Sequence, residues 1–311
     1  MMKSVLGVTL GCAVLCGCVV QQTYLTSARP KTLPKHVVFV GFDGLGGRYV
    51  GQAEAPTLKA MMEAGSWTLK GRTILPSGSA CNWHSLYTCS ASEQHGFDNW
   101  NTKKPVFDAA MTGANGLYPD IYSEMRRQRP DAETGYVYEW DGMGFVVDTN
   151  ACSYSKYIGE KAGAQVTTDA ACAYLRAKKP VFLSVVYDRP DGAGHRHGWG
   201  SPEYLADVKM LDGQLAQIVK TLKEIGIYDD TVIVVSSDHG GVKKEHGHRC
   251  LECIERTFVV CGPGIKAGEI PYGGAIYDAG ATMAALLGLD FPVCWIGRPY
   301  DVFCTSADFT R

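Results

Sequence analysis

The first strong pattern along the chain is an uninterrupted apolar, β-branched run at residues 36–42 (HVVFVGF), which stops at Asp43 and Gly44. Such a run predicts a strand buried on both faces, as in a parallel sheet. Residues 181–187 (VFLSVVY), 231–237 (TVIVVSS) and 257–261 predict three more. Between them lie segments of helical period. Leu205, Val208, Leu211, Leu215, Ile218, Val219 and Leu222 fall on one face of a helix over 203–225, the clearest in the chain. Shorter helices are predicted over 56–64, 82–89, 120–128, 166–178 (Thr167 or Thr168 as cap) and 278–287 (Asp278 as cap). Alternation of this kind predicts an α/β fold with a mostly parallel central sheet sandwiched by helices. Residues 99–149 are the least regular and are expected to form a small insertion near the site.

Composition narrows the class. In 311 residues, 30 Lys and Arg against 32 Asp and Glu give a net charge of −2, which excludes a nucleic-acid binder working through a broad basic face. A hydrophobic fraction of 46% with 20% charged residues excludes disorder. No apolar run of about 18 residues follows the first twenty. Those twenty, MMKSVLGVTLGCAVLCGCVV, read as a secretory leader. Leu15-Cys16-Gly17-Cys18 resembles a bacterial lipobox, so residues 1–18 are expected to be a lipoprotein-type signal and Cys18 the lipidated anchor. Residues 19–34 then form a polar tether, and 35–311 the catalytic domain. An exported or cell-surface location follows, with membrane contact only through the lipid. Nine cysteines remain beyond the leader, an odd count that predicts some disulfides and one unpaired thiol. Cys250 and Cys253 form a lone CxxC, expected to be a structural disulfide or two plain buried cysteines.

The chemistry gathers where the strands end. Asp43 closes the first, Asp191 and His195 follow the second, and Asp238-His239 close the third, with His246 a short polar loop beyond. Parallel strands would bring all of these to one edge, where open α/β sheets bind ligands. Three carboxylates and three imidazoles form a donor set for two divalent ions, which suits zinc and leaves manganese and iron open. Ser79, in the turn-rich 73–83 (TILPSGSACNW) ahead of a helix, is the candidate nucleophile, with Ser77 as rival. A helix start there offers N–H groups to a phosphate, and a metal-bound hydroxyl loses its proton readily. Asn82 is a candidate hydrogen-bond donor to a phosphoryl oxygen. Trp83, Tyr187, Trp100, Trp140 and Trp199 are candidates to face the leaving group, and Arg72 and Arg189 to pair with a dianionic one.

Five segments, in order, resemble the alkaline phosphatase superfamily, and within it the type I phosphodiesterase and nucleotide pyrophosphatase branch. They are Phe42-Asp43-Gly44, Pro76 through Asn82, Pro190-Asp191-Gly192-Ala193-Gly194-His195 with its following residues to Gly198, Ser237-Asp238-His239-Gly240 and His246-Gly247. The resemblance implies an alkaline-phosphatase-like fold and hydrolysis of a phosphate ester through a phosphorylated nucleophile. It implies one zinc on Asp191, His195 and His246, and another on Asp43, Ser79, Asp238 and His239. The substrate would be a small-molecule or lipid-like phosphate ester, most simply a diester. Ser79 stands where phosphodiesterases commonly carry Thr, and Trp83 where many carry His. Those departures keep a phosphomonoesterase in view, and His248 remains an alternative to His246. A metal-binding surface lipoprotein without turnover is the reading from another class. The x-Pro-x-Arg that a sulfatase nucleophile requires is absent after both Ser77 and Ser79.

Overall fold

The structure is a computed structural model and describes residues 30–304. The leader, Cys18 and most of the expected tether lie outside the described residues. Eight strands form one sheet: β1 (His36–Phe42), β2 (Ser66–Arg72), β3 (Thr134–Tyr138), β4 (Tyr154–Tyr157), β5 (Phe182–Tyr187), β6 (Thr231–Ser236), β7 (Glu255–Cys261) and β8 (Gly268–Glu269). Their order is β4-β3-β5-β1-β6-β7-β2-β8. Strand β1 is central and parallel to both neighbours, with Val40 opposite Val185 of β5 and Val235 of β6. The sheet is mostly parallel but not wholly so, because β7 runs antiparallel to β6 and to β2. The whole connection 237–254 therefore leaves and returns at one edge of the sheet, the edge where β1 and β5 also end.

Among the described residues, ten α-helices flank the sheet: α1 (Gly47–Val50), α2 (Pro56–Ala64), α3 (Ser79–Thr88), α4 (Ser92–His95), α5 (Ile121–Gln128), α6 (Ala164–Lys178), α7 (Asp191–His197), α8 (Pro202–Glu224), α9 (Leu251–Ile254) and α10 (Ile276–Leu286). Alternation along β1 feeds two cores. Val37 and Phe39 pack toward α3, α5 and α10, whereas Val38, Val40 and Phe42 pack toward α2, α6 and α8. Helix α8 starts at Ser201, whose Oγ accepts the Tyr204 N–H at 3.2 Å, with Pro202 at its first position. Its Leu211, Leu215 and Ile218 are fully buried, each worth about 1.5–3 kcal/mol relative to exposure. Helices α3 and α10 cross so closely that a Cβ at Gly280 would lie 1.8 Å from the Leu86 carbonyl oxygen.

Several expectations need adjusting. Residues 99–149 are not simply an insertion: they supply α5 and strand β3, which sits between β4 and β5 in the sheet. Asp120 caps α5 by accepting the N–H groups of Tyr122 and Ser123. Helix α6 begins after Gly163 without a side-chain cap, so Thr167 and Thr168 lie inside it. Asp278 sits in the first turn of α10 rather than ahead of it, and its carboxylate accepts the Ala275 N–H at 2.7 Å. All nine cysteines among the described residues are free thiols, so the expected disulfides are absent.

Candidate metal-dependent active site

Strands β1, β5 and β6 deliver Asp43, Asp191 and Asp238 to one edge, as their parallel pairing requires. His239 Nε2 stands 3.3 Å from Asp238 Oδ2 and 3.6 Å from Asp43 Oδ1. His195 Nε2 lies 3.3 Å from Asp191 Oδ2, one helical turn away, and His246 Nε2 lies 3.8 Å from Asp191 Oδ1. Two groups of donor atoms form: Asp43, Asp238 and His239, and Asp191, His239 and His246. His239 thus belongs to both, whereas the resemblance implies it for one alone. His195 stands at the margin of the second group. His246 rather than His248 joins the cluster; His248 is exposed and pairs with Glu245 at 2.9 Å. His197 is exposed.

The imidazoles are held by their other nitrogens. His239 Nδ1 donates to Gly240 O at 2.8 Å, His246 Nδ1 to Ser77 O at 2.8 Å, and His195 Nδ1 to Lys244 O at 2.9 Å. Each ring therefore presents a bare Nε2 to the cluster, the tautomer a metal requires. The carboxylates are equally poised. Asp43 Oδ1, Asp191 Oδ1 and Asp238 Oδ2 are buried without a hydrogen-bond partner. Burial foremost, and then the neighbouring carboxylates, push Asp43 well above the usual range; burial and then Asp191 do the same for Asp238. Burial first, with other charges behind it, pushes His239 and His246 down to about 3. Three orphaned acceptors beside bare imidazole nitrogens are what a bound divalent cation would satisfy, so the residues present fit the metal.

The scaffold behind these groups was not read from the sequence. Gly44 donates its N–H to Asp238 Oδ1 at 3.0 Å, and its carbonyl accepts both Trp199 Nε1 and Tyr204 Oη. Trp199, considered as a leaving-group contact, instead braces the Asp43 turn. Trp83 is fully buried, and its Nε1 donates to Asp43 Oδ2 at 2.9 Å, so it orients a carboxylate instead of meeting substrate. A Cβ at Gly41 would stand 2.8 Å from the Trp83 ring, which explains a glycine near the end of β1.

Ser79 is the first residue of α3, and its Oγ lies 3.2 Å from His239 Nε2. Ser77 points elsewhere, its Oγ donating to His248 O. The expected phosphate cradle at the start of α3 is largely filled: Ala80 N–H donates to Trp100 O and Cys81 N–H to Asn99 O. Asn82 also departs from expectation. It is fully buried; its Oδ1 accepts from Thr73 Oγ1 and the Ile74 N–H, and its Nδ2 donates to the carbonyls of Pro76 and Gly78. It pins the loop that carries Ser79 and faces no substrate. Tyr187 is fully buried as well, its hydroxyl 2.7 Å from Thr168 Oγ1.

An open cleft of about 840 Å³ lies over the cluster, with Ser79, Trp100, Trp140, Asp191, His195 and His246 in its wall. Lys103 is in the same wall and pairs with Asp141 at 2.8 Å. Asp188, which sequence reasoning passed over, also lines the cleft; burial first, then Asp191, pushes it up to about 8. Arg72 pairs with Glu255 and Arg189 with Asp207, so neither is directed at Ser79.

Residues 37–258 match the family model described as type I phosphodiesterase / nucleotide pyrophosphatase. The chain is 21% identical over 226 residues to the bis(5'-adenosyl)-triphosphatase ENPP4 of Homo sapiens, covering 70% of this chain and 50% of the relative. It is 22% identical over 234 residues to ectonucleotide pyrophosphatase/phosphodiesterase family member 1 of Rattus norvegicus, covering 70% and 26%. The chain thus spans about half the length of the ENPP4 relative. In structure it is similar to murine ectonucleotide pyrophosphatase / phosphodiesterase 5, with TM-score 0.69, 16% identity and coverage of 83% of this chain and 96% of that one. A 2-O GAG sulfatase superposes with TM-score 0.69 at 15% identity, over 86% and 73%. These solved structures show a shared alkaline-phosphatase-like fold.

Proposed function

Because the chain belongs to the type I phosphodiesterase / nucleotide pyrophosphatase family, we propose that it hydrolyses phosphate esters, with diesters preferred, using Ser79 as nucleophile. The observation that carries this reading is the set of unpartnered buried oxygens on Asp43, Asp191 and Asp238, which stand beside the Nε2 atoms of His239 and His246, with Ser79 Oγ 3.2 Å from His239 Nε2. Two divalent ions would be held there, one by Asp43, Ser79, Asp238 and His239, the other by Asp191, His195 and His246. Mixed imidazole and carboxylate donors favour zinc. When bound, such ions supply Lewis-acid charge that acidifies a hydroxyl and neutralises phosphoryl oxygens.

The chain's own groups do the rest. Trp83 and Gly44 fix Asp43 and Asp238, and Asn82 fixes the loop ahead of Ser79. Ser79 Oγ gives up its proton and forms a bond to phosphorus as the P–O bond to one alcohol breaks; that alcohol leaves with a proton, and water then cleaves the Ser79–phosphorus linkage, restoring the hydroxyl and releasing the phosphate monoester. The α3 N–H groups of Ala80 and Cys81 are taken, so they contribute little to the phosphoryl charge. The engagement of Arg72 by Glu255 and of Arg189 by Asp207 supports a diester preference, because neither of these two candidates is then aimed at a second anionic oxygen. The bis(5'-adenosyl)-triphosphatase relatives and the AMP complex of murine ectonucleotide pyrophosphatase / phosphodiesterase 5 make a nucleotide a reasonable first substrate.

The leader and Cys18 support export with lipid anchoring, which labelled palmitate lost in Cys18→Ala would test. The catalytic reading is tested with bis-(p-nitrophenyl) phosphate, p-nitrophenyl phosphate and p-nitrophenyl sulfate in parallel, with zinc present. The diester should turn over fastest. Equal inactivity on all three, with zinc bound, would replace the enzyme by a metal-binding lipoprotein.

A further inference from the structure

We propose that Cys250 and Cys253 form a thiol–disulfide exchange site that controls how firmly the metal centre is held. The coupling rests on the metal reading above; the thiol chemistry does not. The two sulfurs lie 3.4 Å apart, across the start of the short helix α9. Cys250 is half-buried and open to a reagent, whereas Cys253 is fully buried behind it. That arrangement gives one attacking and one resolving thiol.

Their place in the fold gives the pair its leverage. The connection 237–254 begins with Asp238 and His239, carries His246, and ends at this pair before entering β7. Cys253 is fixed: its carbonyl accepts the Gly240 N–H at 2.9 Å, and next to it Ile254 O accepts the Thr73 N–H at 3.0 Å. Cys250 ends the loop that carries His246, and its carbonyl accepts the N–H groups of Cys253 at 3.2 Å and Ile254 at 3.1 Å. Two residues earlier, His248 O accepts Ser77 Oγ, while Ser77 O takes both the Gly247 N–H and His246 Nδ1. Lys244 O, in the same loop, holds His195 Nδ1. A disulfide needs an S–S separation of about 2.05 Å. Closing that gap would tie the end of the loop that carries His246 covalently to the anchored entry of β7.

The exchange balances with an external disulfide as oxidant. The Cys250 thiolate attacks one sulfur of the donor, forming a mixed disulfide and expelling the first thiolate. The Cys253 thiolate then attacks Cys250 Sγ and expels the second. The pair loses two protons and two electrons, and the donor leaves as two thiols. An oxidising exported compartment would supply such donors.

The test uses the zinc-loaded full chain equilibrated with glutathione disulfide or with dithiothreitol. Alkylation followed by peptide mass spectrometry reads the thiols, and a chromogenic chelator reads zinc release. Glutathione disulfide should protect Cys250 and Cys253 together and reversibly. The oxidised form should release zinc about fivefold more slowly, at the low end of ordinary site-to-site coupling. Cys250→Ser and Cys253→Ser should each abolish the difference, and Cys172→Ser should keep it. Full alkylation of both cysteines after oxidation overturns the exchange site. Equal release rates from the two forms overturn the coupling. Zinc absent from both forms refutes the metal reading instead, while the protection result still decides the thiol site.

Discussion

Trp83 Nε1 donates to Asp43 Oδ2 at 2.9 Å, joining the second turn of α3 to the end of β1 inside the protein. The bond leaves Oδ1 as the free oxygen of that carboxylate. Trp83→Phe keeps the ring and removes the donor. Groups that orient a metal ligand typically change affinity 10- to 100-fold, so zinc affinity should fall by about that factor. A competitive chelator titration reads it, and unchanged affinity would mean that Asp43 needs no orientation.

Ser79→Ala removes the attacking oxygen but only one of several donors. Turnover of bis-(p-nitrophenyl) phosphate should fall by at least about a thousandfold. Elemental analysis should find zinc nearly unchanged. Wild-type rates in this variant, with activity lost in Ser77→Ala, would transfer the role to Ser77.

Asn82→Ala separates scaffolding from substrate contact. Its side chain satisfies the Ile74 N–H and two carbonyls in a buried loop. Loss of those bonds should lower unfolding stability by about 1–3 kcal/mol. Denaturant melts of the zinc-loaded protein check this. A raised KM with unaltered stability would restore the substrate-donor role.

Chelation should make stability depend on pH in one direction. Asp43, Asp191 and Asp238 are raised by burial, so the metal-free fold retains protons that the unfolded chain has given up. Stability is then lost as pH rises above the ordinary carboxylate range, because these groups must ionise without a partner. Metal-free protein should melt earlier at pH 8 than at pH 6. Zinc should reverse this, with proton release measurable by calorimetry in buffers of different ionisation enthalpy.

His84 contributes a slope of the opposite sign. Burial holds its imidazole down to about 4, with Nδ1 donating to Val146 O. The unfolded chain takes up that proton near pH 6.5. Stability is complete above that value and declines between about 6.5 and 4, by roughly 3 kcal/mol in all. The loss in urea-measured stability from pH 7 to 4.5 should be smaller in His84→Gln than in the wild type.

The legibility of this protein follows burial. Strands β1, β5 and β6 are sandwiched between helices, so their residues are apolar and β-branched throughout, and they stand out. Strand β2 (SWTLKGR) has mixed polarity and a register shift between Thr68 and Gly71, while β4 and β8 are short and exposed; none announced itself. The direction of β7 was hidden because an apolar run reads alike in parallel and antiparallel pairings. At the site, charged groups after buried strands were readable, since an ionisable residue there has few structural uses. Asn82, Trp83 and Tyr187 were misassigned because residue type does not say whether a side chain turns toward a cleft or a core. Trp199 was misassigned for the same reason, and Asp188 was overshadowed by the Asp191 and His195 that follow it.

His239 belongs to both donor groups, which ties the two sets of side chains to one imidazole. A change at 43 takes a donor atom from one group and a change at 195 from neither, whereas a change at 239 takes an Nε2 from both in one step. Under the proposed two-ion reading, that imidazole is the donor this scaffold could least give up.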